Sequence, residues 1–234
     1  GRYDLNPQGR QGIQVKKVTT GLEDALAAYG LRMEDAMVMD TQNEPIPIPV
    51  ERDLGGLRVR EMQYLDYPFF VDVRRSGMAA ASPVLAGINS VTVPWASPIV
   101  ITGGDGEGEE DGEGPERTYV ELLTSSDEAW TKSGTNVQPD LRAYPERGFA
   151  IGDDQGEKVL AVAVTGTFES AFADEGAPEG VDPSVLEESP DTARLVLVSS
   201  ASFASDVILQ LSQQAQSNLQ LAQNLVDWGL EDTD

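Results

Sequence analysis

Residues 193–234 read ARLVLVSSASFASDVILQLSQQAQSNLQLAQNLVDWGLEDTD, and this stretch decides the fold predicted for the chain. It opens with four consecutive apolar residues, Leu195 to Val198, two of which are β-branched. Such a run is typical of a strand that is buried on both faces, because neither face then carries polar side chains. A polar segment from Ser199 to Asp206 follows.

Beyond that segment, apolar side chains recur every three or four residues, which is the period of an amphipathic helix. The predicted apolar face comprises Leu211, Ala215, Leu219, Ala222 and Val226, widened by Leu221, Leu225 and Trp228. Three further side chains of this helix have two interpretations: they form a patch that faces a partner, or they stabilise the fold. They are Asn218, Asn224 and Trp228. We expect the second, with Trp228 on the sheet edge and both Asn side chains tying down neighbouring loops. Strand, polar loop and long helix form the closing unit of an α/β layer fold.

A second helix is predicted near the beginning of the chain. Thr20 and Glu23 have the spacing of a capping box. The helix should end at Gly30, because glycine readily adopts the left-handed conformation that stops a helix. A short apolar strand at 36–40 follows and ends in Asp40.

The remaining elements are predicted from apolar runs, prolines and caps. Strands are expected at 118–124 and 159–168, with a possible short strand at 149–151. Prolines predict short extended pieces around Pro94 and Pro98 and an extended edge or linker at 45–50. A capped helical turn is predicted at 125–128 and presents Trp130. Because strands and helices interleave, we expect an α/β fold with a mixed, mostly parallel sheet flanked by helices.

Composition excludes several classes of site. The 234 residues contain no Cys and no His, so disulfides, a Ser-His-Asp triad and His-ligated zinc or haem are excluded. The net charge of −24 argues against nucleic acid and anionic lipid as partners, since both would be repelled. No apolar run approaches the roughly 20 residues that cross a bilayer. The chain does not begin with Met, and we expect it to be a fragment of a longer protein.

Motifs for nucleotide binding are missing. Lys132-Ser133 is the only Lys followed by Ser or Thr, and it lacks the glycines of a P-loop. The glycines at 104–108 are followed by acids, which would repel a pyrophosphate.

Acidic residues are concentrated in two stretches, 103–116 and 174–191. The first partly fits a calcium loop, with Glu107, Glu109 and Asp111 at ligand positions and Gly112 at the turn, but Thr118 occupies the position of the bidentate Glu. A solvated insertion is the alternative that we favour, and no metal site is assigned.

Three further sets of residues could carry chemistry. Asp40 and Asp66 are imaginable partners for a glycosidase-like carboxylate pair. Ser199, Ser200 and Ser202 follow a buried strand but have neither a nucleophile elbow nor a His base, so a polar connection is the favoured interpretation. Arg74-Arg75 is either an anion site or, as we expect, a solvated strand end. No catalytic, cofactor-binding or metal-binding residue is assigned.

Seven segments, taken in order, resemble one family. They are GLEDALAAYGLRMEDAMVMD (21–40), YPFFVDV (67–73), VTVPWASPI (91–99), VELLTSSDEAW (120–130), LAVAVTGTFESAF (160–172), RLVLVSSASFASD (194–206) and NLQLAQNLVDW (218–228). This series resembles the extracytoplasmic domain of the gliding-motility-type (GldG-like) auxiliary component of uncharacterised ABC transport systems.

The resemblance implies a single extracytoplasmic domain over residues 1–234, interrupted by acidic insertions near 103–116 and 174–191. Full-length members are anchored by membrane helices and act beside a permease and a separate cytoplasmic ATPase. The family fold is flavodoxin- or glutamine-amidotransferase-like and lacks catalytic residues, so no cofactor is implied. The strands that usually precede the first helix are missing here, which leaves the sheet incomplete at the N-terminus or completed differently.

We therefore expect a non-catalytic interaction domain. The alternatives are a carboxylate-dependent hydrolase that acts on polysaccharide and a domain that binds a small ligand or calcium. The transported substrate, the partner surface and the oligomeric state are not predicted.

Overall fold

A computed structural model describes residues 1–6, 13–55, 57–103, 117–170 and 187–230. Within these ranges the strands are β1 (Tyr3–Leu5), β2 (Val15–Lys17), β3 (Leu31–Met33), β4 (Met37–Met39), β5 (Ile46–Leu54), β6 (Leu57–Leu65), β7 (Phe70–Arg74), β8 (Ser90–Pro94), β9 (Ile99–Ile101), β10 (Arg117–Thr124), β11 (Trp130–Lys132), β12 (Val159–Gly166) and β13 (Arg194–Val198). The α-helices are α1 (Glu23–Ala28), α2 (Asp206–Leu211) and α3 (Ala215–Gly229), and single 3-10 turns lie at Arg75–Gly77 and Pro83–Leu85.

The largest sheet has five strands and is built around β12. One edge of β12 pairs with β10 along its whole length. The other edge pairs with β13 from Ala161 to Thr165 and with β9 at Val159, and β9 in turn pairs with β3. The strand pairs β1–β2, β4–β11, β5–β6 and β7–β8 form four separate two-stranded ladders.

The prediction of a mostly parallel sheet flanked by helices is wrong. Every strand pair in the described part of the chain is antiparallel, and strands outnumber helices. A parallel pair needs a crossover connection of a dozen or more residues, usually a helix. The described helices are few and two of them have only six residues, so the flavodoxin- or glutamine-amidotransferase-like layer is not formed.

Strand β12 is the centre of the hydrophobic core. Its residues alternate between two core clusters, with Ala161 and Ala163 in one and Val162 and Val164 in the other. Both faces of this strand are therefore buried, as its continuous apolar sequence predicts. Strand β13 also contacts both clusters, but its side chains are only half-buried. It pairs with β12 along one edge, and no described strand covers its other edge.

An aromatic core cluster lies beside the first two. Tyr67, Phe69 and Phe149 contact one another at ring-centroid distances of 5.5–5.8 Å. Phe70 meets Trp95 edge-on at 5.2 Å, and Trp130 belongs to the same cluster. Because each ring in these pairs presents its edge or a tilted face to the next, the contacts have the favoured geometry for aromatic side chains.

The C-terminal helix exists, but its buried face differs from the predicted stripe. The helical region is interrupted at Ser212–Gln214. In α3, Leu219 and Val226 of the predicted face are 50% and 59% exposed. Leu221 is 1% exposed and packs on the core formed by β7, β8 and β12. Leu225 and Trp228, which with Leu221 widen the predicted face, pack on the same core, so the helix buries this side of the predicted face and exposes the other.

The predicted N-terminal helix is confirmed as α1, and Gly30 ends it at φ +72°. The capping box is only partly formed. Glu23 Oε1 accepts a hydrogen bond from the Thr20 amide at 3.2 Å. Thr20 Oγ1, however, accepts from Leu22 N and not from Glu23 N. Leu22 is thus the residue at the helix boundary.

Three predicted strands are found with shifts of a few residues at most, namely those at 36–40, 118–124 and 159–168, and the extended edge or linker predicted at 45–50 lies mostly within β5. The capped helical turn at 125–128 is not formed: the chain turns there without a helix, and Trp130 begins β11, where it pairs with Met39. Residues 149–151 are not a strand. Both acidic insertions fall mainly outside the described residues.

Candidate functional site

Asp40, one member of the predicted carboxylate pair, is fully buried at the end of β4. Its Oδ1 accepts hydrogen bonds from Ser126 Oγ at 2.7 Å and Gln42 N at 2.8 Å, and its Oδ2 accepts from Ser126 N at 2.8 Å. Asp66, the other member, is exposed. The two acids therefore differ fundamentally in setting, and Asp40 acts as an internal tie between β4 and the turn before β11.

Glu44 is a second buried acid, and no pattern in the sequence indicated it as a candidate site residue. Its side chain accepts hydrogen bonds from Thr92 Oγ1, from Ser212 Oγ at 2.8 Å and from Gln213 N. Thr92 lies on β8, whereas Ser212 and Gln213 lie in the break between α2 and α3. The carboxyl group thus connects a strand to the helix interruption, and all the partners named here are uncharged.

Asn218 and Asn224 fix α3 to its surroundings, as expected from the sequence. The fully buried Asn218 side chain accepts from Thr92 N at 3.1 Å and donates to the carbonyls of Thr92 and Phe203 at 2.8 and 2.7 Å. Asn224 Nδ2 donates to Val84 O at 2.8 Å. These amides satisfy backbone groups that would otherwise be costly to bury.

Trp228 packs against the core at the end of α3. The guanidinium of Arg194 lies 5.1 Å from its ring centroid and also donates to the Trp228 carbonyl at 2.6 Å. This contact joins the first residue of β13 to the last turn of the helix. Trp228 therefore serves the packing of helix on sheet.

The three candidate serines are buried. Ser202 Oγ donates to Asp4 Oδ1 at 2.6 Å, and Ser200 Oγ accepts from Ser202 N at 3.3 Å. Ser199 Oγ has no hydrogen-bond partner within the described part of the chain. Among the described residues no base is placed against Ser199. The Asp4 carboxylate beside Ser202 also accepts from Leu5 N at 2.8 Å, so these contacts support the interpretation as a polar connection.

The adjacent arginines do not converge on a common position. Arg74 Nε pairs with Asp72 Oδ2 at 2.9 Å, and Arg75 Nε donates to Asn89 Oδ1 at 3.4 Å. Both arginines are exposed at the end of β7. This is the solvated strand end that the sequence favoured.

Two titratable side chains of the aromatic cluster have shifted pKa values. Burial raises the pKa of Tyr67, whose hydroxyl donates to Val137 O at 3.1 Å. Burial lowers the pKa of Lys132, whose Nζ lies 5.6 Å from the Phe69 ring centroid and 5.9 Å from that of Phe149. At neutral pH the raised pKa keeps the Tyr67 phenol protonated, so it holds the cluster together and cannot serve as a base.

A surface cavity of about 580 Å³ lies next to this cluster. The single segment 143–151 lines it, with Phe149 buried and Tyr144, Arg147 and Ile151 exposed. Backbone hydrogen bonds from Asp140 N to Gly148 O and from Gly148 N to Tyr144 O close the segment on itself. The lining of the cavity is largely apolar and includes one acidic residue, Glu146, and one basic residue, Arg147. These residues do not form a pair of catalytic acids.

The predicted calcium ligands, 107–112, lie outside the described residues. Among those that are described, no group of three or more acidic side chains is placed to hold a metal ion, and Thr118 lies on β10. None of the described helices is both long enough and apolar enough to span a bilayer.

An exposed apolar surface lies on the hairpin formed by β5 and β6. Both strands have nine residues, and they pair only with each other among the described strands. The base of the hairpin is packed, since Ile46 is buried in the aromatic cluster. Farther out, Val59, Met62 and Tyr64 are 38%, 55% and 64% exposed. Hydrophobic periodicity alone could not reveal this, because an exposed strand and a half-buried one alternate alike.

Comparison with protein families identifies the class of the chain. This chain, whose described strands pair antiparallel and whose buried acids Asp40 and Glu44 are hydrogen-bonded within the fold, belongs to a family of transport-system proteins. The family is described as an ABC-type uncharacterized transport system, its model matches residues 2–228, and the chain is a member in the auxiliary-component class. Comparison with curated proteins and with solved structures gives no significant match.

Proposed function

We propose that this chain is a non-catalytic, extracytoplasmic interaction domain of its ABC-type transport system, similar to gliding-motility transporter components. The observation that carries the proposal is the family match over residues 2–228. The domain contacts the permease, and a separate cytoplasmic ATPase supplies the energy. Neither nucleic acid nor anionic lipid fits a partner with a net charge of −24.

The hydrogen bonding of the buried acids supports a role without catalysis. A general acid or base must reach the substrate with its carboxyl group. The oxygens of Asp40 and Glu44 are instead engaged by backbone and hydroxyl donors of the fold. Asp66, the remaining candidate, is exposed. The alternative of a carboxylate-dependent hydrolase has no comparable support.

Co-purification tests the proposed partnership. The full-length protein is co-expressed with the permease and ATPase of its own system, and the permease of an unrelated ABC system is the control. We expect retention of the cognate permease alone, also when the ATPase is inactivated by mutation. Equal recovery of both permeases, or of neither, would contradict the proposal.

Cysteine labelling tests the proposed location. The chain contains no Cys, so Leu219→Cys, at a position 50% exposed on α3, introduces a single accessible thiol. With any other cysteine of the full-length protein replaced, a membrane-impermeant maleimide should label this thiol in intact cells. Labelling only after lysis would place the domain in the cytoplasm.

A further inference from the structure

The two edges of the β5–β6 hairpin differ in their capacity to bind another strand. Pro47 pairs in register with Tyr64, and Pro49 with Met62. Since a proline has no N–H to exchange, both must be non-hydrogen-bonded pairs of the antiparallel ladder. In such pairs the backbone N–H and C=O groups point away from the partner strand, toward the outer edges of the hairpin.

On the outer edge of β5, donors are therefore missing at Pro47 and Pro49, and this edge is protected against strand addition. On the outer edge of β6, Met62 and Tyr64 direct complete backbone groups outward, and no described strand pairs there. The side chains of Met62 and Tyr64 are more than half exposed, and that of Val59 is 38% exposed. The outer edge of β5 is therefore blocked at Pro47 and Pro49, whereas the outer edge of β6 can still form backbone hydrogen bonds with an added strand. A hairpin of this kind accepts an added strand on one side.

A second copy of the chain fits this edge poorly. Symmetric antiparallel pairing of two β6 strands places one residue opposite its own copy. Centres at Arg58, Arg60 or Glu61 oppose like charges, and a centre at Val59 opposes Arg58 to Arg60 of the other copy.

A centre at Met62 or farther along β6 shifts each tip residue, Leu57, to a position level with Tyr67 of the other copy or beyond. Tyr67 is buried in the body of the domain, so the tip of each hairpin would collide with that body. Symmetric pairing of two β6 strands is thus disfavoured by charge from Arg58 to Glu61 and by collision beyond them, and a strand of a different protein fits this edge better.

The side chains of β6 define the chemistry of that strand. Arg58, Met62 and Tyr64 lie at even positions and share one face of the hairpin. An antiparallel partner would place apolar side chains opposite Tyr64 and Met62 and an acid near Arg58. The hairpin has as many arginines as acids over 46–65, so it is locally neutral on an otherwise acidic chain.

We propose that the outer edge of β6 binds an extended extracytoplasmic segment of the permease by β-strand addition, an inference that rests on the proposed function. The backbone groups of Met62 and Tyr64 supply the ladder, and Arg58 selects an acidic side chain on the added strand. In this proposal the outer edge of β6, from Arg58 toward Tyr64, is the permease-binding surface.

The test compares two proline substitutions in co-purification with the cognate permease. Met62→Pro removes an outward donor from β6 but no hydrogen bond between β5 and β6. Glu51→Pro places a proline at the equivalent outward position of β5, whose edge is already blocked. We expect Met62→Pro to reduce permease recovery at least tenfold and Glu51→Pro to leave it within twofold. Arg58→Glu, which keeps the backbone unchanged, should also reduce recovery, and unchanged melting temperatures verify that all variants fold.

The outcomes separate the two proposals. If the wild type retains the permease and Met62→Pro and Arg58→Glu retain it equally well, the edge assignment is wrong while the proposed function stands. If the wild type does not retain the permease, both fail. If the isolated domain instead forms a dimer in sedimentation experiments that Met62→Pro abolishes, the occupant is a second copy and the assignment to the permease is overturned.

Discussion

At the scale of single residues, two buried acids hold together parts of the chain that are distant in sequence. Asp40 ties β4 to Ser126, and Glu44 ties β8 to the break between α2 and α3. A buried polar group is tolerated when its hydrogen bonds are made and is costly when a partner is lost. These acids therefore stabilise the fold through the donors that they satisfy.

Replacement of Glu44 by Leu should destabilise the protein strongly. The substitution leaves the donors of Thr92, Ser212 and Gln213 without their acceptor, at a cost of about 3 kcal/mol or more. For a chain of this length that corresponds to a fall in melting temperature of about 6–12 °C, measurable by thermal unfolding followed by circular dichroism.

Glu157 provides the matched control, because it is exposed. Glu157→Leu should change the free energy of unfolding by no more than about 0.5 kcal/mol. Glu44→Gln keeps one acceptor oxygen and should lie between the two. Equal melting temperatures for Glu44→Leu and Glu157→Leu would show that the hydrogen bonds of Glu44 contribute nothing to stability.

The sequence could identify Asp40 as the end of a strand but could not identify its partners. Ser126 lies 86 residues away in sequence, and the capping-box spacing of Ser125 and Glu128 suggested a helix that does not form. The Ser126 hydroxyl instead bonds to Asp40 and accepts from Glu128 N at 3.2 Å. A local motif was thus outcompeted by a long-range contact with a buried acid.

At the scale of elements, α3 shows how one polar residue changes the orientation of a helix. The predicted apolar face includes Leu219, Val226 and Leu221, but of these only Leu221 is buried, together with Asn218. Periodicity assigns Asn to the solvent side. Here Asn218 is buried because it satisfies backbone groups of β8 and of the segment after β13.

Two Leu→Ala substitutions in α3, which remove the same side-chain atoms, test this orientation. Leu221→Ala removes a fully buried side chain from the core and should cost about 2–5 kcal/mol. Leu219→Ala removes a half-exposed side chain and should cost less than about 1 kcal/mol. The midpoints of urea unfolding measure both, and a larger loss for Leu219→Ala would show that the helix buries the Leu219 side of the predicted face instead.

The same contrast between local and long-range information explains the error in sheet type. Continuous apolar runs correctly located β12, which is buried on both faces, and β13, whose half-buried side chains contact the core on both faces. Whether two strands pair parallel or antiparallel leaves no such pattern in the sequence. It depends on the connection that the chain makes between the two strands. Two neighbours of β12, namely β10 and β13, both run antiparallel to it, and neither orientation could be deduced from the composition of the runs.

At the scale of the whole molecule, charge opposes folding. The chain carries 40 acidic residues against 16 basic ones. Ion pairs in the described ranges include Arg2–Glu23, Lys17–Asp35 and Arg74–Asp72, and each of these has a partner with a side chain at least 30% exposed. Exposed pairs of this kind contribute little to stability. Repulsion among the excess acids is therefore the larger electrostatic effect.

Added salt should accordingly stabilise the domain. Raising NaCl from about 0.02 M to 0.5 M shortens the screening length from roughly 20 Å to below 5 Å and weakens repulsion between separated acids. We expect the urea midpoint to rise with an unchanged m-value, since the surface exposed on unfolding stays the same. Near pH 4.1, where the net charge of the sequence is zero, the same salt increase should have little effect. A midpoint that falls with salt at neutral pH would instead mean that attractive pairs outweigh the repulsion of the remaining acids.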